Sequence, residues 1–114
     1  MNIFFQNGDK VLTLKEVVET IDGKIAEDGK KRFAILWENG PYEVLSAQPG
    51  KKYIKLVKTN RNGQRSVYCF LDMDGNIYKS ATWHAPAKHI RGSIWDKDMG
   101  WGKALGPYGA AYLK

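Results

Sequence analysis

Lys52-Tyr-Ile-Lys-Leu-Val-Lys58, Asn60-Arg-Asn-Gly63, Arg65-Ser-Val-Tyr-Cys-Phe-Leu71, Asp72-Met-Asp-Gly-Asn76 and Ile77-Tyr-Lys-Ser-Ala-Thr82 follow one another with hardly a residue between them. The first run alternates basic and apolar residues, the period-two pattern of a half-buried strand. The second and fourth are clusters of Asn, Asp and Gly, the residues that tight turns require. Strand, turn, strand, turn, strand is an antiparallel meander. Upstream, Arg32-Phe-Ala-Ile-Leu-Trp-Glu38 runs into Asn39-Gly40 and out through Tyr42-Glu-Val-Leu-Ser46, the signal of a further hairpin, with Pro49-Gly50 as the next turn.

Before the strands lies a helix. Thr13-Leu-Lys-Glu16 has the capping-box pattern, in which a hydroxyl and a glutamate three residues later satisfy free amide donors. Leu14, Val17, Val18, Ile21 and Ile25 then recur at helical spacing. The pattern predicts a helix from Leu14 to Asp28, weakened by about 1 kcal/mol at Gly23 and stopped at Gly29. Beyond Ala85 the strand pattern ends. Pro86 suits the first position of a helix and Gly92 its stop, which predicts a short helical turn. In the Gly-rich segment that follows, Trp101, Leu105, Tyr108, Tyr112 and Leu113 argue that the chain is pinned to the body. The expected fold is therefore α+β: an N-terminal amphipathic helix packed on an antiparallel β-meander of four to six strands, with a short C-terminal helix and an irregular tail. Its 114 residues make a single domain.

The formal charge of +6 is unevenly spread. Residues 1–50 hold 6 basic and 8 acidic side chains, and residues 51–114 hold 12 basic and 4 acidic. The positive potential belongs to the second half, where it attracts nucleotides, nucleic acid or acidic proteins. No run is long and apolar enough for a membrane span, and the N-terminus does not read as a secretory signal. Cys69, the one cysteine, has no partner for a disulfide and reads as a buried, inert thiol. A cytoplasmic setting is expected.

No nucleophile motif or Walker-type phosphate loop is present, so the expectation is a protein without catalytic machinery. His84 and His89 lack the further ligands of a zinc site, and Asp72-Met-Asp-Gly-Asn76 opens like a calcium loop without completing it. No metal or cofactor is expected. The concentrated chemistry lies in residues 80–96, which hold two Trp, two His, one Lys and one Arg. Aromatic faces beside fixed cations suit a base and a phosphate. On a helical turn Lys88 and Arg91 would share a face and hold phosphate, Trp83 would stack on a base, and His84 and Arg65 would assist. A second surface is the sheet itself, where Lys55, Tyr68 and Phe70 form an alternative face for single-stranded nucleic acid.

The segments Tyr53-Ile-Lys-Leu-Val, Gly63 to Asp72 and Gly75 to Asp96, with Tyr-Lys-Ser-Ala-Thr-Trp-His-Ala-Pro-Ala-Lys-His-Ile-Arg at residues 78–91, resemble a family of small bacteriophage proteins. Those carry a Trp-x-Ala-Pro-Ala-Lys-x-x-Arg run, and Gly106-Pro-Tyr-Gly109 is similar to their endings. His84 stands where that family would have a lysine. The resemblance implies a phage-like origin and no assigned activity. Together these readings lead to a non-enzymatic binding protein with a basic and aromatic pocket for a phosphorylated nucleotide, such as a host immune signal. The alternatives are a sequence-tolerant single-stranded DNA or RNA binder and an inhibitor of a host protein. A pocket shared between two copies of the chain would be common for so small a binder.

Overall fold

A computed structural model describes residues 3–110. Strands β1 (Phe4–Asn7) and β2 (Lys10–Thr13) form a hairpin that precedes the long helix α1 (Leu14–Arg32) and the single-turn helix α2 (Ala34–Trp37). Five strands follow: β3 (Glu43–Pro49), β4 (Tyr53–Asn60), β5 (Arg65–Asp72), β6 (Asn76–Ser80) and β7 (Pro86–Ser93). They pair antiparallel in chain order as one meander. A 3-10 turn (Lys97–Gly100) and a minimal hairpin, β8 (Leu105–Gly106) with β9 (Gly109–Ala110), close the described chain. The α+β class and the meander are as expected. The helix is not the first element, and among the described residues the strands number nine with the two small hairpins.

Helix α1 begins where the sequence places it. The Thr13 hydroxyl accepts the Glu16 amide at 3.1 Å, and the Glu16 carboxylate accepts the Thr13 amide at 3.0 Å. These bonds from Thr13 hold the Glu16 carboxyl below its usual range. Val17, Ile21, Ile25 and Gly29 make the buried stripe, and each of the three branched side chains contributes about 1.5–3 kcal/mol by burial. They pack on Ile54, Leu56, Cys69, Leu71 and Ile77 of the sheet.

Gly29 does not stop the helix, and the run from Arg32 to Glu38 is not a strand. The chain leaves α1 through the Phe33 amide, which bonds the Gly29 carbonyl at 2.7 Å, and turns back so that Trp37 lies against Gly29. A Cβ at Gly29 would overlap the indole. The notch accepts the largest side chain of the segment only if residues 34–37 fold against α1, and this tertiary contact overrides the β-prone composition. Asn39-Gly40 is consequently the exit from α2 rather than a hairpin, with Gly40 at φ +113°.

The Pro86 turn is corrected too. Pro86 opens β7 opposite Ser80, a strand position that proline tolerates. The Thr82 hydroxyl accepts the His84 and Ala85 amides at 3.1 Å, and the Ala85 carbonyl accepts the Ala81 and Thr82 amides. The hairpin tip is thus closed by Thr82 before any helix can start. Gly92 serves close approach rather than helix termination, because a Cβ there would overlap Ala104.

Between Leu56 and Val57 the β4–β5 register slips, leaving Tyr68 without an opposite residue. Tyr68 turns into the helix-side core, where its hydroxyl donates to the Gly106 carbonyl at 2.6 Å. Lys58 donates to the Pro107 carbonyl at 3.0 Å and pairs with Glu43 at 3.3 Å. The C-terminal segment is therefore pinned as expected, with Leu105 and Ala110 buried and Trp101 half-buried. Tyr108 is instead 69% exposed, and Tyr112 and Leu113 lie outside the described residues.

Two outcomes follow from this packing. Gly29→Ala should destabilise by about 1–3 kcal/mol through overpacking on Trp37, whereas Gly23→Ala, with open space around it, should stabilise by about 0.5–1 kcal/mol. Urea denaturation compares them, and an equal effect at both sites would refute the notch. The second concerns Asp72. Its partial burial works to raise the carboxyl, but bonds from the Asn76 side chain and amide, the Tyr78 hydroxyl and the Asp74 amide outweigh it and lower the pKa. A lowered carboxyl supplies stability that is complete above its ordinary value of 3.8 and lost as pH falls through the folded value. Burial and the bond to Asp72 push the Tyr78 phenol up to about 12. Its contribution is complete below the ordinary value of 10.0 and lost as pH rises through about 12. Asp72→Asn should flatten both the acid limb and the alkaline limb of a stability–pH curve, and unchanged limbs would count against the turn network.

Candidate functional site

The sheet buries apolar side chains on both faces. Ile54, Leu56, Cys69 and Leu71 face α1, while Val57 and Phe70 are 1% and 3% exposed yet lie outside that core. On this outer face Tyr53 meets Phe70 edge-on at 6.4 Å and Tyr78 at 5.5 Å. The β6–β7 tip carries Trp83 onto the same face, where Lys55 Nζ lies 4.2 Å and the Arg65 guanidinium 5.1 Å from its ring. Both contacts are in cation–π range. An indole ringed by two cations is the centre of the candidate site.

Beside it is a groove of about 370 Å³, lined by Gln48, Pro49, Gly50, Lys51, Lys52, Tyr53, Lys55, Phe70 and His84. The β3–β4 turn, tightened by the Gly50 amide bonding the Tyr53 carbonyl at 2.9 Å, brings Lys51 and Lys52 to its rim. Lys52 Nζ stands 5.6 Å over the Tyr53 ring. The lining has three ammonium groups and no carboxylate. Such a groove can attract an anion and offer ring faces to an aromatic group.

Of the residues singled out in the sequence, Trp83, His84, Arg65, Lys55 and Phe70 come together here. Lys88 and Arg91 do not join them. They sit on β7, so no helical turn aligns them, and the Arg91 guanidinium donates to the His89 carbonyl at 2.7 Å. Tyr68 is removed from the alternative nucleic-acid face by the register slip that turns it inward. Burial raises its phenol and the Cys69 thiol well above their ordinary ranges, in keeping with an inert thiol. Sequence reading missed Lys51 and Lys52, which lie in the β3–β4 turn, and Gln48, near the end of β3 opposite Lys55. The two lysines between Pro49-Gly50 and Tyr53, directly ahead of the strand that carries Lys55, were the available signal. Among the described residues no group of three His, Cys, Asp or Glu side chains could hold a metal ion, and no helix is long and apolar enough to cross a membrane.

No curated protein and no solved structure matches the chain. A family model does match, over residues 8–103, and this span includes the helix, the whole five-stranded sheet and every residue of the groove. The chain belongs to the family of unknown function DUF7717.

Proposed function

We propose that the outer face of the sheet is a non-enzymatic binding site for a phosphorylated nucleotide. The observation that carries this reading is the groove in which Lys51, Lys52, Lys55 and His84 share a wall with Tyr53 and Phe70, next to the Trp83 ring. Its volume suits one compact ligand. Lys51 and Lys52 hold the phosphate oxygens, Lys55 bridges from phosphate toward the indole, and His84 assists at the rim. Trp83 or Tyr53 stacks on the base. In the phage setting that the sequence resemblance implies, such a site would sequester a host nucleotide signal.

Arg65, whose guanidinium also lies over the indole but outside the groove, supports a second reading, a single-stranded DNA or RNA binder whose backbone crosses Trp83. That reading requires affinity to fall steeply with salt, in proportion to the phosphates contacted. The first requires a short ligand to bind without help from Arg65.

The two are separated by titrating the protein with ATP, adenosine and a ten-residue oligothymidylate. ATP should bind and adenosine should bind far more weakly. Lys52→Ala with Lys55→Ala should weaken ATP by about 10–100-fold, the loss of one or two charge-assisted bonds. Lys88→Ala should leave it within about twofold. Equal binding of adenosine and ATP would remove the phosphate site. Tight oligothymidylate binding that needs Arg65 and collapses with salt would favour the strand reading instead.

A further inference from the structure

Apolar side chains also gather on the surface at α2, on the helix side of the sheet. Phe33, Ile35 and Leu36 are all exposed there, and Ile35, at 85%, is the most exposed large hydrophobic among the described residues. Its direction is fixed from behind. Trp37, two residues on and so nearly opposite on the helical turn, is lodged against Gly29, which leaves Ile35 pointing outward. Beside this turn lies a cleft of about 200 Å³. Ile25 and Trp37 form its buried end, and Phe33, Leu36 and Tyr108 its exposed end. The Arg32 guanidinium, 5.7 Å from the Phe33 ring and 5.9 Å from the Tyr108 ring, ties the two sides of the mouth together.

Single apolar residues on a surface need no explanation, but a protruding one beside an apolar hollow does. The charge around it selects the occupant. Residues 27–38 hold three acidic and three basic side chains, and Lys31 pairs with Glu27 at 3.6 Å and Arg32 with Asp28 at 3.8 Å. An anionic membrane is drawn to a cationic surround, as an acidic partner is, and this surround is balanced. A second copy of the chain fits better. A knob and a hollow side by side are what a two-fold contact requires, because each copy lends its knob to the other's hollow. The patch also lies mostly within residues 1–50, where acidic side chains outnumber basic ones. Two molecules of charge +6 therefore meet through the half of the chain that lacks the excess charge.

We propose that α2 and this cleft form an isologous contact between two copies of the chain, in which Ile35 of each copy seats between Phe33, Leu36 and Tyr108 of the other. Ile25 and Trp37 belong to the helix-side core, so the contact leaves the outer-face groove open, and neither proposal depends on the other.

A patch of four side chains makes a small interface and hence a weak dimer. Sedimentation velocity of the full chain, at concentrations reaching about 1 mM, should show monomer and dimer and no larger species, because a two-fold contact closes at two. Ile35→Ser and Leu36→Ser should each weaken the dimer at least tenfold, whereas Ile35→Leu should keep it. Val11→Ser, an exposed change on β2, should leave it unaltered. Circular dichroism checks that each variant folds. Chains carrying Ile35→Cys, mixed with chains carrying Tyr108→Cys, should cross-link under a mild oxidant into mixed dimers, with Cys69 buried and silent. Monomer at every concentration, open-ended association, or a dimer indifferent to Ile35→Ser would overturn the proposal. So would loss of the dimer with Val11→Ser, or mixed cross-linking no greater than that between two chains carrying Val11→Cys.

Discussion

A five-stranded sheet with apolar side chains on both faces must be covered twice, and most of this structure follows from how the two covers differ. The helix side receives α1, the Trp37 return and the C-terminal hairpin, which together bury a continuous core. Among the described residues the outer side has no helix. Val57 and Phe70 are buried there all the same, in a face where Tyr53 meets Phe70 and Tyr78 edge-on and the β6–β7 tip brings in Trp83. An indole is large enough to close that gap, and Lys55 and Arg65 lie over its ring. Their stems add apolar cover while their charged ends stay wet. Aromatic surface beside cations is thus first of all the way this face stays folded, and only through that a place where a ligand can bind.

The same logic orders the C-terminal segment. Without the register slip in β5, Tyr68 would point outward beside Phe70 and the Gly106 carbonyl would lose its donor. Turning Tyr68 inward supplies one anchor, and Lys58 supplies a second through Pro107 while its charge is balanced by Glu43. Gly109 then passes so close to the Tyr68 carbonyl that a Cβ would collide with it. A short segment with little regular structure is held by two side-chain donors and one close approach.

Much of this was legible in the sequence, and the failures have physical causes. The capping box at Thr13 and the stripe from Val17 to Ile25 are local patterns, and local patterns predicted α1 and the strands from Tyr53 to Ser80 well. The run from Arg32 to Glu38 read as a strand because Phe, Ile and Trp favour strands. Its fate was set by Gly29, a notch whose occupant no local rule identifies. The Asn-Gly hairpin rule applied to Asn39-Gly40 failed for that reason. The β1–β2 hairpin is closed by Gly8-Asp9, with Gly8 at φ +63° and Asn7 still in the strand opposite Lys10, and it passed unread. Pro86 followed by Ala, Lys and His suits the start of a helix, but the Thr82 hydroxyl had already closed a hairpin tip in front of it. As for the site, alternation along β4 placed Tyr53, Lys55 and Val57 on one face correctly. Losing the helical turn separated Lys88 and Arg91 from the aromatic cluster, and the β3–β4 turn supplied Lys51 and Lys52 in their place.

That exchange changes what the outer face can hold. Two cations on one turn would have gripped a single phosphate from one side. The structure instead sets Lys51, Lys52 and Lys55 around the groove and Arg65 at the indole, with Trp83 carrying a cation from each set. A ligand seated in the groove meets three ammonium groups without reaching Arg65, and that favours a short molecule with its charge at one end. A longer chain must lie across the indole to engage both sets, and it gains from stacking only by displacing Lys55 or Arg65 from the ring. Each displacement gives up a cation–π contact worth about 0.5–1 kcal/mol at an exposed site. A compact ligand whose base stacks on Trp83 or Tyr53 gives one up as well, from Lys55 or Lys52, so the three ammonium groups of the groove, and not stacking, set the two ligands apart.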